Sequence, residues 1–254
     1  MPFSRITAVY FSPTGGTKKA ALALASKLAQ QVQEIVLPVR NNQEYSFGPE
    51  DIVLFAFPVF GGRLPVLAAE QLKRFHGNGA AAITAAVYGN RAFEDALVEL
   101  NDALEAQGFW TAASSALIAE HSMWREIASG RPDVQDQIEI GHFAEKILEK
   151  FRQPRGKAVS VPGNRPYKDW APMPVVPAVS DRCVRCGLCA SQCPASAIPA
   201  AQPYTTDPAK CILCMRCAAV CPQQARSLPP QAAAMIQGKL SPLKEIRKEN
   251  ELFL

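Results

Sequence analysis

The eight cysteines of this 254-residue chain all fall into two copies of one spacing. Each copy reads C-x2-C-x2-C-x3-C-P, and every cysteine of the second copy lies 28 positions after its counterpart in the first. The copies are Cys183, Cys186, Cys189 and Cys193 followed by Pro194, and Cys211, Cys214, Cys217 and Cys221 followed by Pro222. The spacing constrains the fold strongly, because thiolates so arranged hold a pair of [4Fe–4S] clusters.

The fourth cysteine of such a run binds the cluster of the other run. We therefore assign one cluster to Cys183, Cys186, Cys189 and Cys221, and the other to Cys211, Cys214, Cys217 and Cys193. Zinc ligation and disulfides are the alternatives. Both fit less well, because zinc sites favour two C-x2-C pairs with a longer gap between them.

Charge is distributed unevenly along the chain. Residues 1–150 hold 13 Lys+Arg against 17 Asp+Glu, whereas residues 151–254 hold 14 against 6. Each oxidised cubane with four thiolates carries a charge of about −2. Arg182, Arg185, Lys210 and Arg216 lie among the ligands, so we interpret the basic half as charge compensation for the clusters and predict no nucleic-acid partner. No apolar run reaches spanning length, so we predict no membrane partner and, with reduced thiolates, a cytoplasmic and anaerobic setting.

The first 150 residues alternate predicted strands with predicted helices. Strands are expected at 5–11, 33–38, 52–57, 80–87 and 109–118, of which 5–11 and 52–57 are predicted to be buried, and helices at 17–30, 66–75, 92–107 and 134–151. This alternation predicts a doubly wound five-stranded parallel sheet with helices on both faces.

A small-residue loop joins the first strand to the first helix. It contains Ser12, Thr14, Gly15, Gly16 and Thr17. Backbone N–H groups and the helix dipole make such a junction a cradle for a phosphate. A simple helix cap is the alternative interpretation.

Two further loops follow strands that should end at the same edge of the sheet. The first holds Pro58, Val59, Phe60, Gly61 and Gly62, and the second holds Tyr88, Gly89, Asn90 and Arg91. Phe60 and Tyr88 are candidates to stack on a flat ring, and Asn90 to bind its polar edge. His121, just beyond the fifth strand, is a candidate to contact the ring and the sole catalytic candidate, although a single histidine in a loop is more often structural than catalytic.

The loop Ser12-Pro13-Thr14-Gly15-Gly16-Thr17 resembles the S/T-x-T-G-x-T phosphate loop of flavodoxins. With the cysteine array, the chain resembles flavodoxin–ferredoxin fusions of anaerobic bacteria, in which a flavodoxin-like α/β domain precedes a small α+β dicluster ferredoxin domain. The resemblance implies FMN, two [4Fe–4S] clusters and electron transfer.

The expected organisation has four parts. Residues 1–152 form the FMN domain, 153–177 a proline-rich linker that Tyr167 and Trp170 anchor, 178–229 the ferredoxin domain, and 230–254 a helical tail. The tail contains predicted helices at 232–236 and 241–254, and homodimer formation through it stays open.

Three functions are consistent with the sequence. The first is an electron carrier that relays low-potential electrons between the clusters and FMN and exchanges them with a redox partner protein. The second is an FMN-dependent reductase of a small organic substrate, fed by the ferredoxin domain. The third is a redox sensor, which no recognisable nucleic-acid-binding motif supports.

Overall fold

Strands and helices alternate through the first half of the computed structural model, which describes residues 2–39 and 41–254. Residues 1 and 40, which fall in the predicted first domain, lie outside the described residues. In chain order the elements are β1 (Phe3–Phe11), α1 (Gly16–Leu28), β2 (Ala29–Leu37), β3 (Tyr45–Ser46), β4 (Ile52–Pro58), α2 (Val66–Ala69), the 3-10 turn Glu70–Arg74, β5 (Phe75–His76), β6 (Ala81–Tyr88), α3 (Ala96–Glu105), β7 (Trp110–Ile118) and α4 (Val134–Lys150).

The main sheet contains five parallel strands in the order β7-β6-β4-β1-β2. Counted along the chain, these five strands have the order 2-1-3-4-5, which is that of the flavodoxin-like fold. All eight residues of β6 and most of β1 and β4 are buried. This burial on both faces explains why the predicted strands are continuous apolar runs.

Two apolar cores flank the sheet. One face packs against the buried side of α1 and the residues Ile140 and Ile147 of α4. The opposite face packs against α3 and Leu72 of the 3-10 turn. Both layers leave the carboxyl ends of the strands free for the loops that carry the candidate ligands.

Two predicted helices differ from the structure. The segment 66–75 is a four-residue α-helix followed by a 3-10 turn and a short strand, and in its helical part only Ala68 and Leu72 are buried. So few packing contacts do not offset the cost of a longer helix. The helix predicted from residue 92 begins at Ala96, because Glu94 has a positive φ of 45°, which helical backbone does not adopt.

The cysteine-bearing half contains short elements. In chain order they are β8 (Ala178–Val179), α5 (Leu188–Ser191), α6 (Arg216–Ala219), β9 (Arg226–Ser227), α7 (Pro230–Leu240), the 3-10 turn Ser241–Leu243 and β10 (Glu251–Phe253). Strands β8 and β9 form an antiparallel pair. Of these described helices and those of the first half, none has both the length and the apolar character needed to cross a membrane.

The two copies of the cysteine repeat share their backbone conformation as well as their spacing. Positive φ angles occur at matching positions, at 55° and 53° for Arg185 and Leu213, and at 49° and 48° for Ser196 and Gln224. Gly187 and Met215 form a further pair, at 76° and 61°. Glycine adopts this conformation freely and methionine does not, which indicates that the Met215 side chain is held by its contacts.

The linker lies on the first domain, as predicted. Tyr167 donates its hydroxyl to Asp102, 2.5 Å away, and stacks under the guanidinium of Arg63 at 4.8 Å. Asp95 accepts hydrogen bonds from the backbone N–H groups of Asn164 and Lys168, both at 2.8 Å. These partly buried contacts hold the second half of the linker against α3 and the loop before it.

The end of the tail differs from the prediction. Residues 251–253 form β10, which pairs antiparallel with β7 at the edge of the main sheet. The predicted helix over 241–254 is therefore wrong beyond the 3-10 turn, because the edge of β7 offers unpaired backbone groups that a strand satisfies and a helix does not. Phe253 packs on Phe93 at 6.4 Å between ring centroids.

A buried ion pair fixes the tail further. The guanidinium of Arg131 donates to both oxygens of Asp136, which is fully buried. Asn250 donates its amide to Asp136 at 2.8 Å and accepts from the backbone N–H of Ile118 at 2.8 Å. The end of the tail therefore completes a polar network in the first domain, whereas its beginning forms the helix α7.

Candidate functional site

The loop after β1 forms the N-terminal end of α1. Gly15 is the N-cap residue, with φ 96°, and makes no side-chain cap hydrogen bond. The hydroxyl of Ser12 instead accepts from the backbone N–H of Lys18 at 2.8 Å. Thr17 is buried, and Thr14 is exposed at the mouth of the loop. The helix N-terminus thus presents backbone donors and threonine hydroxyls, which is the chemistry of an anion site.

Four loops meet in one crevice at the carboxyl ends of the strands, and we call it the central crevice. It is lined by Pro13, Thr14, Gly16, Thr17, Pro58, Val59, Phe60, Gly61, Gly62, Val87, Tyr88, Gly89, Arg91, Ala92, Ala119, Glu120, His121, Ser122 and Cys214. The structure thus brings together most of the predicted ligand residues. An adjoining cavity of about 370 Å³ shares Thr14, Gly16, Glu120 and Ser122 with it, and also contacts Gly15.

Asn90 is the predicted ring-edge residue that the structure places elsewhere. Its side-chain amide donates to the carbonyl oxygens of Ile246, at 2.6 Å, and Leu243, at 3.3 Å. Its side-chain oxygen accepts from the backbone N–H of Lys248 at 3.2 Å. Asn90 therefore binds the tail in this structure, and a contact with a ring edge stays a prediction.

The glycine loop after β4 is packed tightly from behind. A Cβ atom on Gly61, which has a positive φ of 60°, would lie 1.8 Å from the indole nitrogen of Trp170. A Cβ on Gly62 would lie 1.8 Å from a carboxylate oxygen of Glu94. Gly61 therefore lets Trp170 of the linker pack behind the wall of the central crevice, which no side chain at 61 would permit.

Tyr88 and Arg91 lie in the opposite wall. The Tyr88 ring is nearly fully buried and packs edge-on against Phe93, with centroids 5.6 Å apart. Burial raises the pKa of the Tyr88 phenol to about 12. Arg91 forms an ion pair of 2.8 Å with Glu94. The ring of Tyr88 is thus fixed and neutral, and its stacking on a ligand stays a prediction.

His121 lines the central crevice with a defined orientation. Its Nδ1 atom accepts from the backbone N–H groups of Met123, at 3.2 Å, and Trp124, at 3.3 Å. Burial, together with the charge of Arg91, lowers the pKa of His121 to about 4. The imidazole is therefore neutral at pH 7 and carries its proton on Nε2.

The pKa of His121 predicts a dependence of stability on pH. Because the folded-state pKa is about 4 and the unfolded-state value is 6.5, only the unfolded chain gains this proton as the pH falls from 6.5 towards 4. Stability is therefore lost on acidification in this window. Between pH 7 and pH 5.5, urea unfolding should show an additional loss of about 1 kcal/mol in the wild type relative to His121→Gln.

The other titrating groups are common to both proteins and cancel in the comparison. An equal pH dependence in the two proteins would contradict a half-buried His121 that stays neutral at pH 5.5.

The eight cysteines form two groups around two small cavities. Cys183, Cys186, Cys189 and Cys221 line one cavity, and Cys193, Cys211, Cys214 and Cys217 line the other. These are the two sets expected from the spacing. Each set offers the four thiols that a cubane requires. Among the described residues no group of three or more His, Cys, Asp or Glu side chains is placed to hold a single metal ion, so the arrangement fits a cubane better than zinc.

Backbone N–H groups donate to the fourth cysteine sulfur in each of the two copies of the repeat. The Sγ atoms of Cys193 and Cys221 accept from the N–H groups of Ala197 and Ala225, both at 3.3 Å. Burial raises the pKa of the Cys214 thiol to about 12 and that of Cys217 to about 11. Buried thiolates therefore need cationic partners, which the irons of a cluster supply.

The second copy of the cysteine repeat is the one that contacts the first domain. Cys214 lines both its own cluster cavity and the central crevice. Arg216 donates to the carbonyl oxygen of Pro13 in the loop after β1, at 3.0 Å, and to the side chain of Gln192. Met215, Ala218 and Ala219 line the adjoining cavity beside Gly15 and Gly16. We call the loop after β1, residues 12–17, the anion loop. The cavity of this cysteine set and the anion loop are thus neighbours.

Sequence reasoning missed this junction. Nothing in the local pattern around Cys214 or Arg216 indicates which surface the second half contacts, since the contact joins residues about 200 positions apart. The residues Pro13, Val87, Ala92, Ala119, Glu120 and Ser122 were also missed, although each adjoins a predicted loop.

Comparison with known proteins agrees with these two halves. Residues 182–225 match a family model described as a 4Fe-4S dicluster domain. A search of curated proteins found no match. The strand order and the family match together define a flavodoxin-like α/β domain joined to a 4Fe–4S dicluster domain.

Several solved structures are similar to the first half of the chain. The Streptococcus pneumonia TIGR4 flavodoxin is 18% identical and covers 58% of this chain and 99% of its own, with a TM-score of 0.41. Oxidised Flavodoxin 2 from Bacillus cereus is 16% identical over 58% of this chain and 100% of its own, with a TM-score of 0.39. Flavodoxin from Fusobacterium nucleatum, bound to flavin mononucleotide, is 15% identical over 58% of this chain and 99% of its own, with a TM-score of 0.38. Because these scores are low, the fold rests on the strand order.

Proposed function

We propose that the protein transfers low-potential electrons between two [4Fe–4S] clusters and an FMN held in the central crevice, and exchanges them with a redox partner protein. The observation that carries this proposal is that Cys214 lines the same crevice as the loop after β1 and the two loops that we predict to contact a flat ring. The proposed organisation is an FMN domain over 1–152, a linker over 153–177, a ferredoxin domain over 178–229 and a tail over 230–254. We also propose that the protein acts in the reducing environment of the cytoplasm.

The residues of the crevice fit the parts of FMN. The N-terminus of α1, with Thr14 and Thr17, offers donors for a phosphate. Phe60 and Tyr88 offer apolar faces for the ring, and Gly61, Gly62 and Gly89 permit close approach of the backbone. FMN, when bound, exchanges electrons singly or in pairs.

The residues of the second cysteine copy supply the connection. Arg216 fixes α6 on the anion loop, and Cys214 brings its sulfur to the crevice wall. Leu213 and Met215 are buried and pack against Met123 of the first domain and Met173 and Val175 of the linker. Because the cavity of this cysteine set adjoins the central crevice, groups bound in the two could exchange electrons without a mobile carrier.

The hydroxyl of Thr17 gives a direct test of the phosphate site. Thr17→Val keeps the shape of this buried side chain and removes its donor. A hydrogen bond to a charged group contributes about 1.5–3 kcal/mol, so FMN should bind roughly 10- to 150-fold more weakly. Fluorescence titration of the apoprotein with FMN measures this change.

Ser26→Ala is the matched control, because Ser26 lies exposed near the other end of α1 and its hydroxyl bonds only the carbonyl oxygen of Ala23. Unchanged FMN affinity in Thr17→Val protein would move the phosphate away from this loop.

A second candidate function is reduction of a small organic substrate. The observation in its favour is the cavity of about 370 Å³ beside the crevice, with Glu120 and Ser122 on the shared wall. The neutral His121 in the crevice has a donor proton on Nε2. A substrate-dependent reoxidation of the reduced protein that His121→Gln slows would favour this function over electron transfer alone.

A further inference from the structure

The two copies of the cysteine repeat face different surroundings. In the second copy, Leu213 and Met215 are 2% and 6% exposed because they pack in a cluster that includes Met123 of the first domain and residues of the linker and tail. Their counterparts in the first copy are Arg185, which is exposed, and Gly187, which is half-buried. The same backbone conformation therefore builds an internal contact in one copy and a free surface in the other.

The free surface consists of Arg182, Val184, Arg185, Cys186 and Tyr204, and we call it the Arg185 face. Val184 is 64% exposed and Tyr204 is 43% exposed. The guanidinium of Arg185 stacks on the Tyr204 ring at 4.8 Å from its centroid. Cys186, a predicted ligand of the first cluster, is exposed at the centre of this surface. It is thus an apolar and aromatic patch rimmed by cations, directly over a predicted cluster ligand.

The Arg185 face has a supported shape. Arg226, which is buried, donates to the carbonyl oxygens of Pro203 and Thr205 and to the hydroxyl of Thr206. Arg182 donates to the carbonyl oxygen of Gln224 at 2.6 Å. The loop that carries Tyr204 and the segment that carries Arg182 are therefore held in place before any partner arrives, which lowers the entropy cost of docking.

We propose that the Arg185 face docks an acidic redox protein, which delivers electrons to the cluster bound by Cys183, Cys186, Cys189 and Cys221. In this electron-transfer step, one electron passes from the reduced partner to this cluster, whose charge becomes more negative by one. No proton moves. The inference rests on the proposed function. It deepens that function by naming the entry point and the chemistry of the partner.

Charge selects this occupant. Arg182 and Arg185 place two cations on the face, and Asp181 is the one exposed acid adjoining them in the chain. An acidic surface around the partner's own redox centre is complementary and is steered toward it over long range. A second copy of this chain pairing through the same face would oppose like charges, as an isologous contact must.

The test uses an acidic [4Fe–4S] ferredoxin as the probe. Its affinity for the full holoprotein is measured by isothermal titration calorimetry with both proteins oxidised, and the rate of cluster reduction by stopped-flow. The double variant Arg182→Glu/Arg185→Glu should weaken binding and slow reduction by about tenfold or more at low salt. The wild-type rate should fall as ionic strength rises from about 20 to about 300 mM, and the variant should lose this dependence.

Arg152→Glu/Lys157→Glu is the matched control, with the same change of charge on two exposed residues where the first domain meets the linker. Val184→Glu is a second variant, which adds an acid to the face and keeps both arginines. Equal affinity and rate in the wild type and both face variants would overturn the proposal, as would equal losses in the control. The proposal would also be overturned if ultracentrifugation showed that the wild type is a dimer and the face variants are monomers. It would equally be overturned if the face variants bound the ferredoxin as the wild type does and lost only the binding of duplex DNA.

Reduction by methyl viologen that dithionite has first reduced to its radical cation separates this inference from the proposed function. A small cationic reductant does not need the Arg185 face, so it should reduce the clusters and flavin of the face variants at the wild-type rate. If the flavin of the wild type is not reduced through the clusters at all, the proposed function fails. If it is reduced and the ferredoxin shows no preference for the Arg185 face, only the docking inference fails.

Discussion

Cys193→Ala protein is expected to lose the cluster that Cys211, Cys214 and Cys217 bind and to keep the other. Cys221→Ala protein should show the reverse. The reason is the crossed grouping of the cysteines, since Cys193 lies with the second run and Cys221 with the first. Removing one thiolate leaves a cubane iron without its ligand, so each variant should retain about half of the iron.

Reference variants identify which cluster is lost. Cys211→Ala removes a ligand within the second run and Cys183→Ala one within the first. After anaerobic reduction, the EPR spectrum of Cys193→Ala should match that of Cys211→Ala, and Cys221→Ala should match Cys183→Ala. A match between Cys193→Ala and Cys183→Ala would contradict the crossed assignment.

Asp136→Ala is expected to destabilise the protein by about 3–5 kcal/mol, because it leaves the buried guanidinium of Arg131 without its partner. It also removes the acceptor for Asn250, at 2.8 Å, so the tail strand β10 should detach from the edge of β7. Urea unfolding measures the first effect, and protease sensitivity of the last residues measures the second.

Glu70→Ala is the control for this variant, since it removes an exposed ion pair with Lys73 and should change stability by less than about 1 kcal/mol. A loss of similar size in both variants would contradict the buried network, and an intact tail in Asp136→Ala would show that β10 does not depend on it.

Much of the first domain was predictable because its strands are buried on both faces. Strands β1, β4 and β6 are continuous apolar runs, and β6 is buried at every position. The segment 251–253 has no such signal. It is a strand only because the edge of β7, more than 130 residues earlier, supplies its partner.

The same division applies to the candidate site. The grouping of the cysteines follows from their spacing, and the anion loop follows from small residues between a strand and a helix. The partners of Asn90 and the place of Cys214 depend on which surfaces meet, at separations of more than 90 residues. The residues next to Arg216 in the sequence do not indicate which loop its guanidinium binds. Such contacts therefore cannot be predicted from local patterns.

The relay of electrons from the clusters to the flavin is tested most directly by the rate of flavin reduction in the wild-type holoprotein and in Cys193→Ala protein. Each protein would be mixed anaerobically with the reduced acidic ferredoxin, and flavin and cluster absorbance would be followed by stopped-flow. We expect the wild-type flavin to be reduced together with the clusters. In Cys193→Ala protein that retains FMN, flavin reduction should slow by at least tenfold while the remaining cluster is still reduced. An unchanged rate of flavin reduction in this variant would contradict a relay through the cluster beside Cys214.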